Sequence, residues 1–278
     1  MNKHNNFTLS LGKKSIKLGR KPIVMGILNV TPDSFFDGGL HKGSYSALEH
    51  VRLMLKAGAT IIDVGGESTK PEAVKVLTKE ELSRVLPAME LLKEHEPNAI
   101  ISIDTYKAEV AEKALMAGAK IVNDVNGLQK DKEVADVVGK HKSGIIIMHN
   151  DPKRNSKEDI IDAIKRFFEK SLLIAKDAGI NDNKIVLDPG FGFAKNHKEN
   201  YEILRRIDEL HSLGFPLLVG TSNKSMIGKL LDAPVCQRLS GTIASNVLAY
   251  NNGAHIFRVH NIKENLDALK ITQATLYS

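Results

Sequence analysis

The sequence predicts an α/β protein built as a (β/α)8 TIM barrel, in which parallel strands alternate with helices around a closed sheet. Three observations support this fold class. Short apolar runs alternate with helix-like segments along the 278 residues, a helix–glycine–strand pattern recurs, and polar residues stand near the ends of the apolar runs. In such a barrel the carboxyl ends of all strands surround one pocket, where the chemistry takes place.

A weak internal repeat gives the clearest strand positions. The segments LKAGATIIDV, LMAGAKIVND and YNNGAHIFRV each place a helix-like run before a glycine. Glycine is the usual residue just past a helix end, where the backbone turns left-handed. The apolar pair that follows is typical of a strand buried on both faces. A polar residue stands five positions after each glycine and is expected at a strand's carboxyl end: Asp63, Asn123 and Arg258.

The remaining apolar runs complete the barrel. PIVMGILNV, AIISID, SGIIIMH, KIVLD and FPLLVG are further strand candidates. A doubly wound sheet would show a similar alternation, but no G-x-G-x-x-G fingerprint follows the first of these strands. Before the barrel, FTLSLGKKSIKLG alternates apolar and polar residues around a Gly-Lys turn, and this predicts a hairpin that closes the barrel's bottom. No linker divides the chain, so a single domain is expected over residues 1–278.

Composition and charge argue against several classes of protein. No apolar run reaches the roughly 18 residues of a membrane span, and MNKHNNFTLS lacks the apolar core of a secretory signal. The net charge of +6 is scattered, and with no Trp and 5% aromatic residues a nucleic-acid partner is not expected. The single cysteine, Cys236, cannot form an internal disulfide. We expect a partly buried, passive thiol in a cytoplasmic protein.

Polar residues at the predicted strand ends suggest one shared site. Any one of them is more often a helix cap than a ligand-binding group. Together they combine carboxylates, amides, cations and imidazoles: Asn29, Asp63, Asp104, Asn123, His149, Asp188, Lys224, Arg258 and His260.

The chemistry of this set suits a flat, nitrogen-rich ligand with an anionic group. A carboxylate accepts two N–H bonds from an amidine-like edge, while a lysine donates to a ring carbonyl. These groups fit a 2-amino-4-oxo heterocycle, either a pterin or a purine such as guanine. Arg258 and His260 lie two positions apart, so on an extended strand both would point the same way. Near an asparagine oxygen, that pair suits a phosphate or diphosphate with a divalent metal.

These segments, in this order, resemble the dihydropteroate synthase family. ILNVTPDSFFDGG and DVGGESTKP resemble its first two signatures, and SIDTYK, VNDVNG, LDPGFGFAK, TSNKS and FRVH follow in family order. The match runs from about Pro22 to His260. It implies an enzyme that joins 6-hydroxymethyl-7,8-dihydropterin diphosphate to p-aminobenzoate, releases dihydropteroate and diphosphate, and requires Mg²⁺. It also implies a homodimer and a target of sulfonamides.

The resemblance assigns expected roles to individual residues. The pterin would be held by Asp104, Asn123, Asp188 and Lys224. The diphosphate would be held by Asn29, Lys70, Arg258 and His260, with Asn29 ligating the metal. The p-aminobenzoate would lie among Thr69, Lys70, Pro71, Phe193 and Ser225. The catalytic residues would be Asp188, Lys224, Arg258 and Asn29. A loop over the bound substrate would carry Asp33, Phe35 and Asp37.

Four positions depart from the family pattern and leave alternatives open. Lys70 and Asn223 stand where the family usually has arginine, Glu72 where it has glycine, and Asn261 where it has aspartate. Lysine lacks arginine's two-pronged grip on anions. One alternative is therefore a catalytically silent pterin-binding paralogue. Another is a methyltetrahydrofolate:corrinoid methyltransferase-like enzyme, which would have no use for a diphosphate site.

Overall fold

The chain forms a parallel barrel surrounded by helices. The computed structural model describes residues 4–30, 40–67 and 75–277. An antiparallel hairpin comes first, with strands β1 (Phe7–Leu11) and β2 (Lys14–Leu18). Strands and helices then follow as β3 (Ile23–Asn29), α1 (Leu40–Lys56), β4 (Ile61–Gly65), α2 (Thr78–His95), β5 (Ile100–Asp104), α3 (Ala108–Met116), β6 (Ile121–Asp124), α4 (Glu133–His141), β7 (Gly144–Met148), α5 (Ile160–Asp177), β8 (Ile185–Asp188), α6 (His197–Arg206), β9 (Leu218–Val219), α7 (Ser225–Leu231), α8 (Leu239–Asn251), β10 (Ile256–Val259) and α9 (Ile262–Tyr277). Short 3-10 helices span Asp182–Lys184, Ile207–Leu213 and Val235–Gln237.

The parallel strands close into the predicted barrel. In the described part of the chain they form one sheet in the order β8-β7-β6-β5-β4-β3-β10-β9. A parallel bridge between Leu187 and Leu217 joins the two edges, and the Leu187 N–H donates to the Pro216 carbonyl at 3.0 Å. The repeat glycines behave as predicted, since Gly58, Gly118 and Gly253 follow helices with φ of +103°, +118° and +92°.

The hairpin fills the bottom of the barrel, as the sequence predicts. Its inward side chains are at most 5% exposed: Leu9, Leu11, Ile16 and Leu18. They form one apolar cluster with residues from the amino-terminal halves of the barrel strands, including Ile61, Ile121, Ile146 and Val186. Burying each such side chain stabilises the fold by about 1.5–3 kcal/mol. A packed lower layer leaves the carboxyl ends of the strands as the open face.

The helices cover the outside of the barrel with a second apolar layer. One large cluster joins the outward side chains of the strands to the inner faces of the helices. Phe168 of α5 and Tyr250 of α8 are among its largest fully buried members. Within the described residues no helix is both long enough and apolar enough to cross a membrane.

Candidate active site

A row of side chains lies across four neighbouring strands at the open face. The sheet register pairs Asn29 with Gly65, Gly65 with Asp104, and Asp104 with Asn123. Gly65 leaves room in the middle of this row, because a Cβ added there would lie 3.7 Å from Asp104 Oδ2 and 3.8 Å from Asn29 Oδ1. Asn29 is exposed, whereas Asp104 and Asn123 are buried. The row therefore runs from an accessible amide to a buried pair of acceptors.

Asp188 and Lys224 face the same pocket from the other side of the barrel. Asp188 ends β8, and its Oδ1 accepts the Gly190 N–H at 2.7 Å. Burial raises the pKa of Asp188, although the nearby Lys224 opposes that shift. Burial also disfavours the charged form of Lys224 and lowers its pKa to about 8, although the negative charge of Asp188 opposes that shift. The Lys224 ammonium donates to the Phe191 carbonyl and lies 4.6 Å from the centre of the Phe193 ring.

Arg258 points into the barrel between two carboxylates. Its Nε donates to Asp63 Oδ2 at 2.6 Å, and its Nη2 donates to Asp104 Oδ2 at 2.7 Å. Burial acts to lower the pKa of Arg258, but the two carboxylates outweigh it and raise that pKa. Burial, aided by the charge of Asp63, raises the pKa of Asp104 to about 7 despite Arg258. The pocket floor is thus a largely buried cluster of opposite charges.

Asp63 lies deeper than the sequence suggested. We expected it at a strand's carboxyl end, but β4 continues to Gly65 and places Asp63 at its centre, fully buried. The spacing of the repeat predicts where β4 begins but not how many residues it contains. For this reason Asp63 was wrongly expected at the strand's end. From this lower level Asp63 Oδ2 also accepts from Asn123 Nδ2 at 3.0 Å. Because the amide nitrogen of Asn123 faces Asp63, its Oδ1 points away from Asp63. Among the described atoms, Asn123 Oδ1 has no hydrogen-bond partner and can accept from a ligand.

His260 lies at the exposed rim, one residue beyond the end of β10. Strand β10 ends at Val259, so the extended-strand argument that aligned Arg258 with His260 does not reach the histidine. Its Nδ1 is 2.9 Å from Ser222 Oγ and 3.5 Å from Asn223 Nδ2. The turn after β10 therefore holds His260 against the segment that precedes α7.

The predicted p-aminobenzoate and loop residues fall into two groups. Phe193 is partly buried beside Lys224, and Ser225 is exposed at the start of α7. The others lie outside the described residues: Asp33, Phe35, Asp37, Thr69, Lys70 and Pro71, together with the departure at Glu72.

Two further features were missed or misjudged from the sequence. Lys195 lies with its Nζ 2.8 Å from Nδ1 of the buried His149, a contact that spacing along the chain gives no means to find. The thiol of Cys236 is exposed, not partly buried, because it lies in the short 3-10 helix between α7 and α8.

The donor set bears on which metal could bind here. Among the described residues no group of three or more histidine, cysteine and carboxylate side chains is placed to hold a metal ion. A hard cation such as Mg²⁺ commonly takes only one or two protein oxygens and fills its other positions with phosphate oxygens and water. The accessible oxygen of Asn29 fits a cation that arrives with a diphosphate, and does not fit a permanently caged metal.

Comparison with known proteins identifies relatives over almost the whole chain. The family described as pterin binding enzyme matches residues 25–260. The dihydropteroate synthase of Clostridium beijerinckii is 44% identical over 268 residues, covering 95% of this chain and 98% of that protein.

Solved structures agree with these sequence matches. Dihydropteroate synthase of Clostridium difficile, crystallised in the presence of pteroic acid, superposes with a TM-score of 0.90 and 49% identity over 94% of this chain and 99% of that one. The enzyme of Xanthomonas albilineans with 4-aminobenzoic acid gives a TM-score of 0.92 and 36% identity over 99% and 100%. The chain therefore belongs to the pterin binding enzyme family, among its dihydropteroate synthases.

Proposed function

We propose that this chain condenses 6-hydroxymethyl-7,8-dihydropterin diphosphate with p-aminobenzoate, giving 7,8-dihydropteroate and diphosphate. The observation that carries the proposal is a set of buried acceptors facing one partly buried donor. Among the described atoms, Asp104 Oδ1 and Asn123 Oδ1 are buried without a hydrogen-bond partner, and Lys224 lies opposite. Buried polar groups normally find partners, so a bound ligand rich in N–H groups would complete them.

A pterin fits this arrangement of donors and acceptors. Its 2-amino group and ring N–H atoms would donate to Asp104, Asn123 and Asp188. Its 4-oxo group would accept from the Lys224 ammonium. The bond from Asn123 to Asp63 supports this orientation, because it leaves the amide oxygen as the group that faces the ligand.

The diphosphate would lie at the outer end of the same row. Asn29 is accessible there, and His260 lies at the rim. Bound Mg²⁺, held by Asn29 and the diphosphate oxygens, would stabilise the leaving group's charge. Arg258 would contribute a fixed positive charge below the departing oxygen. Lys70 would add a second cation from the segment after β4.

The reaction needs little proton chemistry from the protein. The bond between the pterin methylene carbon and the diphosphate oxygen breaks, and the electron pair leaves with the diphosphate. The aryl amine then forms the new carbon–nitrogen bond and loses one proton. Asp188 would stabilise the electron-poor ring, while Phe193 and Ser225, with Thr69, Lys70 and Pro71, would hold the amine in place.

Diphosphate release by the purified protein tests the proposal. The pterin diphosphate and Mg²⁺ are supplied with and without p-aminobenzoate, and dihydropteroate is measured in parallel. Release that depends on the amine and equals the dihydropteroate formed is the expected result. Tight pterin binding without turnover would instead favour the silent paralogue, with Lys70 and Asn223 as the disabling changes.

We also propose a cytoplasmic homodimer. An apolar stretch on α7, α8 and the turn between them supports a self-association surface: Leu230, Leu231, Val235 and Leu248 are 49–61% exposed. Gly241 of α8 packs against Ile227 and Leu231 of α7, so the two helices present a continuous surface.

A further inference from the structure

The segment between β8 and α6, residues 189–195, has a conformation that needs support from outside. Gly190, Gly192 and Ala194 adopt φ of +70°, +77° and +49°. For alanine this left-handed region is unfavourable, because its Cβ crowds the following carbonyl oxygen. Glycine adopts this region at little cost, but Ala194 does not hold it by local preference. Contacts with the rest of the protein must fix the segment at that residue.

This segment contacts both groups that flank the proposed pterin. The Gly190 N–H donates to Asp188, and the Phe191 carbonyl accepts from Lys224. The Phe193 ring lies against the Lys224 ammonium. Any shift of the segment would therefore displace both of these residues, which lie on the same side of the pocket.

Lys195 ties the segment to the neighbouring strand. Its Nζ lies 2.8 Å from His149 Nδ1, directly after β7, and 2.9 Å from each of the Gly190 and Phe193 carbonyls. The His149 carbonyl is a fourth acceptor, at 3.3 Å. Burial lowers the pKa of Lys195, but its Nζ carries several N–H donors in a compact head, so it can bind two points of the segment and the strand at once.

His149 is arranged as an acceptor for this lysine. Its backbone N–H donates to the Asp188 carbonyl at 2.8 Å, and its buried ring packs edge-on against Phe167 with centroids 4.8 Å apart. Burial, with the charge of Lys195, lowers the pKa of His149 to about 2. The ring is therefore neutral, and in the tautomer with its proton on Nε2 the Nδ1 accepts from Lys195. Gly190 fits so closely that an added Cβ would lie 2.1 Å from the His149 carbonyl oxygen.

We propose that Lys195 and His149 form a positioning pair, which fixes the segment 189–195 on β7 and thereby sets Lys224 and Phe193 for the pterin and the aryl amine. The inference rests on the proposed function for its choice of substrates. Neither residue needs to touch substrate. The pair acts through the two carbonyls and through the Phe193 ring.

Kinetics of matched variants test the pair. Lys195→Met keeps the length of the side chain and removes its donors, and His149→Phe removes the acceptor. We expect KM for both substrates to rise about 10- to 100-fold in each, with a smaller fall in kcat, since small displacements of binding groups have effects of this size. His149→Gln offers an amide oxygen to Lys195 and should restore most of the loss. The double variant should be no worse than either single one.

Lys184→Met provides the control for a purely structural role. Lys184 is a buried lysine that, like Lys195, donates to backbone carbonyls, here those of Ser10 and Lys142 at the opposite end of the barrel. Its loss should lower the melting temperature and leave both KM values unchanged. If Lys195→Met behaves in the same way, the positioning pair is refuted.

A failure of the proposed function would be seen separately, in the wild-type protein. If wild type does not release diphosphate, the affinity for 6-hydroxymethyl-7,8-dihydropterin is measured across the same variants. At least tenfold weaker binding in Lys195→Met, with unchanged binding in Lys184→Met, would support the pair on its own. Equal affinities would overturn it.

Discussion

Asp188 is the residue on which pterin binding depends most directly. Its carboxylate is buried and accepts from the Gly190 N–H through Oδ1. We expect Asp188→Ala to abolish binding of the dihydropterin in a calorimetric titration. Asp188→Asn keeps the Gly190 bond but loses the charge, and should weaken binding by about 1.5–3 kcal/mol, the contribution of a hydrogen bond to a charged group. Asp182→Asn, on the exposed turn before β8, is the control; unchanged affinity in Asp188→Ala would contradict the site.

Asp63 should also affect pterin affinity, although it lies below the pocket. Asp63→Ala would remove the acceptor shared by Arg258 and Asn123, so Asn123 could turn and Arg258 would keep only its bond to Asp104. We expect pterin affinity to fall about tenfold, the effect of one lost hydrogen bond to a charged group. Asp63→Asn can still accept through its amide oxygen and should lose less. Titration of both variants measures this, and equal losses would argue against an orienting role.

These residues show which features of the site the sequence predicts and which contacts it does not. The strand-end rule identified Asp104, Asn123 and Asp188 because each lies within one residue of its strand's end. It could not give Asp63 its role, because the partner Arg258 is 195 residues away in sequence. Sheet register brings them together, and register depends on barrel closure, which no local pattern encodes.

At the level of elements, an ion cluster holds α2 and α3 to the end of β4. Lys107, just before α3, lies 2.5 Å from both Glu67 Oε2 and Glu81 Oε2, and donates to the Val76 carbonyl at 2.7 Å. The two glutamates are at most 9% exposed. The cluster therefore joins residues on both sides of the segment that carries Lys70.

Removing the charge of Lys107 from this cluster should lower the free energy of unfolding. Lys107→Met leaves two buried carboxylates without their cation, which typically costs about 3–5 kcal/mol. Chemical unfolding should show that loss, and the melting temperature should fall by roughly 10 °C. Lys140→Met breaks an exposed pair with Glu112 and should change neither quantity measurably. Similar stability of the two variants would show that the Lys107 cluster is not effectively buried.

His255, at the bottom of the barrel just before β10, should make the free energy of unfolding depend on pH. His255 accepts the Leu217 N–H at Nδ1 and donates from Nε2 to the Asn5 carbonyl. Burial, aided by His211 and His4, lowers its pKa from 6.5 to about 3. The unfolded chain then binds more protons than the folded one below pH 6.5. The stability that this histidine contributes is complete above that pH and is lost as the pH falls toward 3.

His255→Gln isolates this effect, since glutamine keeps a donor for Asn5 but does not titrate. The free energy of unfolding of wild type relative to the variant should fall steadily between pH 7 and pH 4. Asp104 and Asp124 have raised pKa values and change stability in the opposite sense, but they cancel in the comparison. A constant difference between the two proteins would contradict the assignment.

For the whole molecule, the alternation of apolar runs with helices, together with the lack of a dinucleotide-binding fingerprint, predicted the barrel, and the proposed pterin site follows from that fold. Parallel strands must end at one face, so polar residues near strand ends had to converge. The lengths of the strands and the positions of the rim residues were harder to predict from the sequence. Strand β10, for example, ends before His260. Those features depend on how each turn packs against its neighbours.

The barrel would also separate catalysis from the proposed association, because the pocket opens at one end while α8 lies on the outer wall. We expect Leu248→Lys to convert the proposed homodimer to monomers, since a charge buried in an apolar interface is left unpaired. Light scattering after size exclusion measures the mass. Met116→Lys is the matched control: Met116 is 62% exposed at the end of α3, between β5 and β6, which lie across the ring from β9 and β10. It should remain dimeric. A Leu248→Lys variant with the wild-type mass would place the association surface elsewhere, and retained pterin binding in the monomer would show that each barrel carries a complete pterin site.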